Sequence, residues 1–271
     1  MTILHAAALQ FPITMNGADN LAALEALLAP LPRGTLAVAP EGALSGYLPE
    51  PHFVNRIDQA ATLRALDTLA ALAAARGLHI VAGACVAEDG LWRNASFYFA
   101  PNGPRARYDK INLAMSERET FAAGDALPVF DTVIDGAPVR LAIQMCREIR
   151  YPEQWRVLAA KGAQVFAYVN NAIGSKTGHG LWRAHLISRA AETQRFIIGA
   201  NNAAPDQTCP SVILAPSGEA LDELPIGATA AATAALDLTE VSDWVIDQAR
   251  KDVVAVTEAH IKTAPDRSGA A

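Results

Sequence analysis

Cysteine is scarce, with three in 271 residues, at positions 85, 146 and 209. That spacing offers neither a disulfide framework nor a zinc-type pair, and it suits a reducing compartment. Positive charge is also short, at 22 Lys and Arg against 28 Asp and Glu, for a net charge of −6. With no long Lys/Arg run, this balance argues against a nucleic-acid-binding surface. No apolar run is long enough to span a membrane. No basic region precedes the first apolar residues, so a signal peptide is not expected and a cytoplasmic protein is. No linker rich in Pro, Gly or Ser and no internal repeat divides the chain, so one domain over residues 1–271 is expected. The six histidines form no HExxH motif or close metal pair. Gly174-Ser175-Lys176-Thr177 puts a serine where a phosphate loop needs adjacent Gly and Lys.

What is abundant is apolar and small. Hydrophobic residues make up 51% of the chain, ample for a core, while aromatics contribute only 6%. Short apolar runs at 2–10, 35–39, 78–86, 91–99, 139–145, 163–169, 196–200, 211–215 and 229–238 read as strands. Helices are expected over 20–31 with Asn20 as N-cap, over 56–76 closed by Gly77, from Pro152 to Gly162, over 180–194 and over 241–250. Pro101-Asn102-Gly103-Pro104 joins two strands as a hairpin, and Pro216-Ser217-Gly218 marks a turn. From Thr263 the tail is small and polar and is expected to be disordered. Strands and helices alternate, but several strands follow one another directly. That favours an α/β fold with a mixed sheet, or two sheets, under outer helices.

Three residues stand out within this frame. Cys146 comes where the apolar run VRLAIQM stops and a charged turn leads to Pro152, a residue suited to open a helix. A thiol at such a junction is presented at the end of the sheet, where nearby backbone N–H groups can stabilise an anion. Glu41 follows a short buried strand at the Pro40-Glu41-Gly42 turn, a site position in open α/β sheets. Lys110 follows the strand that leaves the 101–104 hairpin. Taken singly, each is more often a buried thiol or a solvated charge.

Together the three resemble the blocks of the nitrilase superfamily of carbon–nitrogen hydrolases: APEGALSGY around Glu41, RYDKINL around Lys110 and IQMCREIRYPE around Cys146. ETFAAGD, GLWRAHLISRAAETQRFIIGANNA and SVILAPSGEAL are similar to further family segments, so the resemblance spans roughly residues 2–240. It implies a four-layer α-β-β-α sandwich, paired with a second subunit as a homodimer or higher homo-oligomer. It implies a small-molecule amide as substrate and no metal or organic cofactor. It implies Cys146 as nucleophile, Glu41 as general base and Lys110 as oxyanion stabiliser. Glu117 would be a second glutamate orienting Lys110, with Glu119 as its nearby competitor. Nitriles and N-carbamoyl compounds are alternative substrates within the fold, and a non-catalytic binding relative is an alternative of another class. A Cys–His hydrolase using His179 or His185 has no local signature here.

The sequence departs from the family pattern in three places. Arg147 stands after the nucleophile where an aromatic residue is usual, so its guanidinium could meet a carboxylate in the pocket or could pair with Glu148 or Glu153 outside it. Tyr168-Val169-Asn170-Asn171 lacks the proline common at that point. The ending ARKDVVAVTEAH lacks the usual arginines. Pocket walls would come from loops 43–55, 112–125 and 171–180, which makes Tyr47 and Asn171, with Arg147, the candidate substrate-binding residues.

Overall fold

Strand alternation sets the layers. In β1 (Ile3–Gln10), Leu4, Ala6 and Ala8 belong to one apolar cluster, and Ala7 and Leu9 to another. The same period of two runs through β2 (Leu36–Val38) and, across the fold, through β7 (Ala137–Met145), β8 (Val165–Val169) and β9 (Phe196–Ala200). A strand with both faces apolar must be covered on both sides. The computed structural model describes residues 2–50, 52–174, 179–250 and 252–254, and in it two six-stranded sheets pack face to face.

The first sheet has the order β12-β1-β2-β3-β4-β5, with β3 His79–Glu88, β4 Leu91–Phe99, β5 Ala106–Asp109 and β12 Ala230–Asp237. The second runs β11-β10-β9-β8-β7-β6, with β6 Val129–Ile134, β10 Val212–Leu214 and β11 Ala220–Glu223. In each, three parallel strands form the centre and antiparallel strands flank them. Leu36, Val38 and Val81 of the first sheet meet Leu141, Ile143, Val165 and Ile198 of the second in the middle layer. Helices α1 (Gly17–Leu28) and α2 (Gln59–Arg76) cover the outer face of the first sheet through Leu24, Leu28, Leu66 and Leu69. Helices α3 (Pro152–Ala160) and α4 (His179–Thr193) cover the second through Trp155, Leu158, Leu186 and Ala190. This is the expected α-β-β-α sandwich.

Several boundaries differ from the sequence reading. Helix α1 starts earlier, capped by Asn16, whose side chain accepts from Ala18 N; Asn20 instead lies buried inside the helix and holds Thr14. Helix α2 starts at Gln59 because Asp58 accepts from Ala61 N, and it ends on left-handed Gly77 as expected. Strand β6 was not anticipated; it pairs with β7 through a tight turn at Asp135 and Gly136, both at positive φ. After the 216–218 turn the chain makes β11 beside β10 and only then crosses to the other sheet as β12. The helix expected over 241–250 is one turn, α5 (Trp244–Asp247). The expected disordered tail from Thr263, and the interrupted phosphate-loop stretch beyond Gly174, lie outside the described residues.

Candidate active site

The carboxyl ends of β2, β5, β7 and β8 carry the polar residues of one cluster. Glu41 follows β2, and its backbone N–H donates to Asn170 O just past β8 (3.1 Å), so it ties the two sheets together. Gly83 on β3 lets that turn come close: a Cβ there would lie 2.7 Å from Glu41 Cα and 2.8 Å from Pro40 O. Lys110 follows β5, fixed by its N–H to Asn94 O and by Gly124 N–H to its own carbonyl, both 2.9 Å. Glu117 ends a 3-10 turn (Met115–Glu117). Cys146 is the first residue after β7 and sits at φ 42°, a left-handed conformation uncommon for a side-chain-bearing residue and often found at functional sites.

Side chains from these turns converge. Lys110 Nζ donates to Glu41 Oε1 and to Glu117 Oε1, each at 2.9 Å. Asn94 Nδ2, from β4, donates to the same two oxygens at 2.8 and 2.7 Å. Tyr47 OH donates to Glu117 Oε1 (2.9 Å), and Ala114 N–H donates to Glu117 Oε2. Lys110, Glu41 and Glu117 are buried, whereas Glu119 is exposed, so the structure brings Glu117 and not Glu119 to the lysine. Glu41 Oε2 is buried without a partner, a second acceptor oxygen on a carboxylate already held by the first. The thiol of Cys146 has Asn171 O at 3.9 Å, and Tyr168 OH donates to Cys146 O at 2.7 Å. Its hydrogen-bond partner is a backbone carbonyl and not a histidine.

Burial and the neighbouring charges together set the protonation states. Desolvation raises Glu41 above the usual carboxylate range against the pull of Lys110, and the charge of Glu117 adds to the rise. Burial would raise Glu117 too, but Lys110, the Ala114 N–H and Asn94 outweigh it and hold that carboxyl low. Desolvation would lower Lys110, yet Glu41, Cys146 and Glu117 carry it well above its ordinary value, so it stays charged. Burial, then Glu41, pushes the Cys146 thiol up. The resting site therefore holds a neutral thiol, an ammonium and at least one carboxylate. A buried ion cluster of this kind is weak evidence for stability, since desolvation can exceed the Coulombic gain.

In the sequence Glu148 stands out only as a partner for Arg147. It is fully buried and accepts from Tyr108 OH (2.7 Å), Ile111 N (2.9 Å), Asn112 N (3.1 Å) and Met145 N (2.8 Å). It thus staples the loop after Lys110 to the turn that carries Cys146. With those four bonds it has no part in pairing Arg147, and Glu153 is exposed. Arg147 makes no ion pair among the described residues, and its Nε is buried without a partner. Asn94 was missed altogether, its one signal being a polar residue inside an apolar strand. Cys85 is buried core and burial pushes its thiol up; Cys209 is likewise buried and raised to about 12.

The fold and the cluster define a class: a two-sheet sandwich flanked by helices, with a thiol, two carboxylates and a lysine at the carboxyl ends of its strands. The chain belongs to the carbon–nitrogen hydrolase family, whose model matches residues 5–245. An (R)-stereoselective amidase of a Pseudomonas species is 31% identical over 167 residues, covering 61% of this chain and 58% of that protein. An omega-amidase of Xenopus laevis is 26% identical over 78% of this chain and 81% of its own. Among solved structures, an amidase of Nesterenkonia superposes with a TM-score of 0.77 at 21% identity, covering 92% of this chain and 95% of that one. A carbon–nitrogen hydrolase of Helicobacter pylori gives 0.78 at 21% identity over 92% and 96%. The two structures establish the shared fold.

Proposed function

We infer that the protein hydrolyses a non-peptide carbon–nitrogen bond in a small linear amide through an acyl-enzyme on Cys146. The observation that carries this is the division of labour on Glu41: Oε1 is held by Lys110 and Asn94, and Oε2 is left unpaired. A buried carboxylate with a raised pKa and one free oxygen suits general base catalysis better than an ion pair with both oxygens occupied. In this reading the thiol proton moves to Glu41 as the sulfur attacks the amide carbon. Charge builds on the amide oxygen, where Lys110 Nζ and the Arg147 backbone N–H stabilise it; losing one such donor typically costs about 3–4 kcal/mol of barrier. Glu41 returns the proton to the leaving nitrogen, the C–N bond breaks, and ammonia or an amine departs from a thioester. Glu41 then takes a proton from water as its oxygen attacks the thioester, and the carboxylic acid leaves with the thiol restored.

Glu117 keeps Lys110 charged and in place, with Tyr47 holding Glu117 from behind. Arg147 supplies a cation next to the nucleophile, so acyl groups bearing a carboxylate are favoured. The amidase names of the relatives agree with amide hydrolysis. Pairing of two subunits belongs to the same proposal, and light scattering that gives a monomer mass at micromolar concentration would count against it.

Ammonia release across ω-amides, aliphatic amides, N-carbamoyl amino acids and nitriles tests the reading. Release by the wild type and not by Cys146→Ala is expected, with amides the best class. Equal release by both proteins would refute the thiol mechanism. An Arg147→Ala variant whose preference for acidic over neutral amides matches the wild type would refute the role given to Arg147.

A further inference from the structure

One side chain beside the nucleophile is held in a single orientation by groups far from it in sequence. Asn202 Oδ1 accepts from two backbone donors, Ile13 N and Ala204 N, each at 3.0 Å. A carboxamide that receives backbone N–H groups on one side must present its NH2 on the other, which removes the usual ambiguity between amide oxygen and nitrogen. Asn202 Nδ2 accordingly donates to Asn171 Oδ1 at 3.2 Å. Gln207 Nε2, which also faces the Asp206 carboxylate (3.2 Å), donates to the same oxygen at 3.0 Å. Two donors on Oδ1 fix the Asn171 amide, and its Nδ2 is then a buried donor with no protein acceptor. Asn171 is 3% exposed, and its own carbonyl lies against the Cys146 thiol at 3.9 Å.

An unpaired buried N–H costs free energy unless something accepts from it. A second buried and unpaired donor is Arg147 Nε, on the residue that follows Cys146. Two donors, one of them cationic and each on a residue at the thiol, suit the two oxygens of a carboxylate that reaches both. We propose that Asn171 is a specificity-determining residue: its Nδ2, aimed by Asn202 and Gln207, binds with Arg147 a carboxylate on the acyl portion of the substrate. The inference rests on Cys146 attacking an acyl carbon, since the carboxylate must sit within the same acyl group.

Succinamate and butyramide test it, because the second has a methyl group where the first has its carboxylate. Asn171→Asp keeps oxygens for Asn202 and Gln207 but turns the free donor into an acceptor of like charge. The ratio of kcat/KM for succinamate over butyramide is expected to favour succinamate in the wild type. In the variant it is expected to fall by about 10- to 100-fold, chiefly through KM, as for a lost hydrogen bond to a charged group. Asn171→Ser, which withdraws the amide without adding charge, is expected to lower the ratio in the same direction and stands in if the first variant fails to fold. A separate arm uses the Cys146→Ala protein, whose melting temperature succinamate should raise; Asn171→Asp in that background should abolish the rise. Turnover of both amides with an unchanged ratio, or a wild type that prefers butyramide, overturns the proposal and leaves the hydrolase reading standing. If no amide is turned over, the hydrolase reading fails and the melting arm decides: a rise lost with Asn171→Asp upholds the carboxylate subsite, and no rise overturns it.

Discussion

Replacing Glu117 by glutamine should move the acid limb of the pH–rate profile downward. Glu41 and Glu117 each place Oε1 against one nitrogen, Asn94 Nδ2, at 2.8 and 2.7 Å, so those oxygens are at most about 5.5 Å apart. Two negative charges at that separation repel by about 3 kcal/mol at an effective dielectric constant of about 20, equivalent to about two pH units. Spreading each charge over two oxygens reduces this, leaving a downward shift of about one to two units. The sign follows from the site: the charge of Glu117 helps to raise Glu41, and the general base must be ionised to act. The assay is kcat/KM for the best amide against pH. Glutamine cannot accept from Ala114 N–H with its nitrogen, so Lys110 loosens and kcat should also drop, by about 10- to 100-fold. Tyr47→Phe removes a hydrogen bond to Glu117 without changing charge, and its limb should stay near that of the wild type. An acid limb in Glu117→Gln that holds still or moves up would refute the reasoning, because Glu117 would then act on Glu41 only by keeping Lys110 in place.

Two further outcomes are expected. Gly83→Ala would press a methyl group against Glu41 Cα and Pro40 O, backbone atoms that cannot turn aside, so kcat/KM should fall by about 100-fold; a variant with normal activity and an unchanged melt would show that the Glu41 turn tolerates displacement. His79, buried at the start of β3 with Nδ1 2.6 Å from Tyr98 OH, has its pKa lowered from 6.5 to about 4, first by burial. The native ring stays neutral where the unfolded one takes a proton, so its contribution is intact above pH 6.5 and is lost as pH falls towards 4, up to about 3 kcal/mol. Denaturant melts at pH 7 and pH 5 should show a smaller loss for His79→Gln than for the wild type; equal losses would place the acid sensitivity elsewhere.

The layers were legible in the sequence because a strand covered on both faces must be largely apolar: β8 and β9 are throughout, and β7 is from Leu141 to Met145 apart from Gln144. Glu41 and Cys146 each close an apolar run with a chemically unusual residue, whereas Lys110 follows the charged strand ARYD; what picked out all three was the resemblance of the blocks around them taken together. Strand β6 was not called, although the Asp135-Gly136 pair that joins it to β7 is a strong hairpin signal; its half-buried residues carry little periodicity of their own. Asn16 and Asn20 are both competent N-caps four residues apart, and tertiary bonding from Asn20 to Thr14 decided between them. The helix expected at 241–250 shrank to one turn, with Trp244 left 64% exposed and only Ile246 buried.

The residues that escaped the sequence reading share one physical property: their roles exist only through partners distant in the chain. Asn94 matters because Glu41 and Glu117 arrive on either side of one amide, and Glu148 because two loops need one acceptor. Asn202 and Gln207 matter because both reach the same oxygen of Asn171. Local patterns carry no trace of such convergence. What the structure adds at the site is a set of groups left unsatisfied close together. Glu41 Oε2, Arg147 Nε and Asn171 Nδ2 are buried without partners, and Cys146 has a positive φ. A buried polar atom that finds no partner at all costs about 1–3 kcal/mol. Buried unpaired atoms also occur at Gln59, Ser96 and Arg107, so lacking a partner does not by itself mark function; these three stand out because they belong to residues that contact, adjoin or act on one thiol. On the proposed reading, the same atoms are those for which a bound acyl substrate would supply complements: a proton for Glu41 Oε2, and oxygens for the two nitrogens. Substituting those residues one at a time therefore tests the proposed acyl substrate directly.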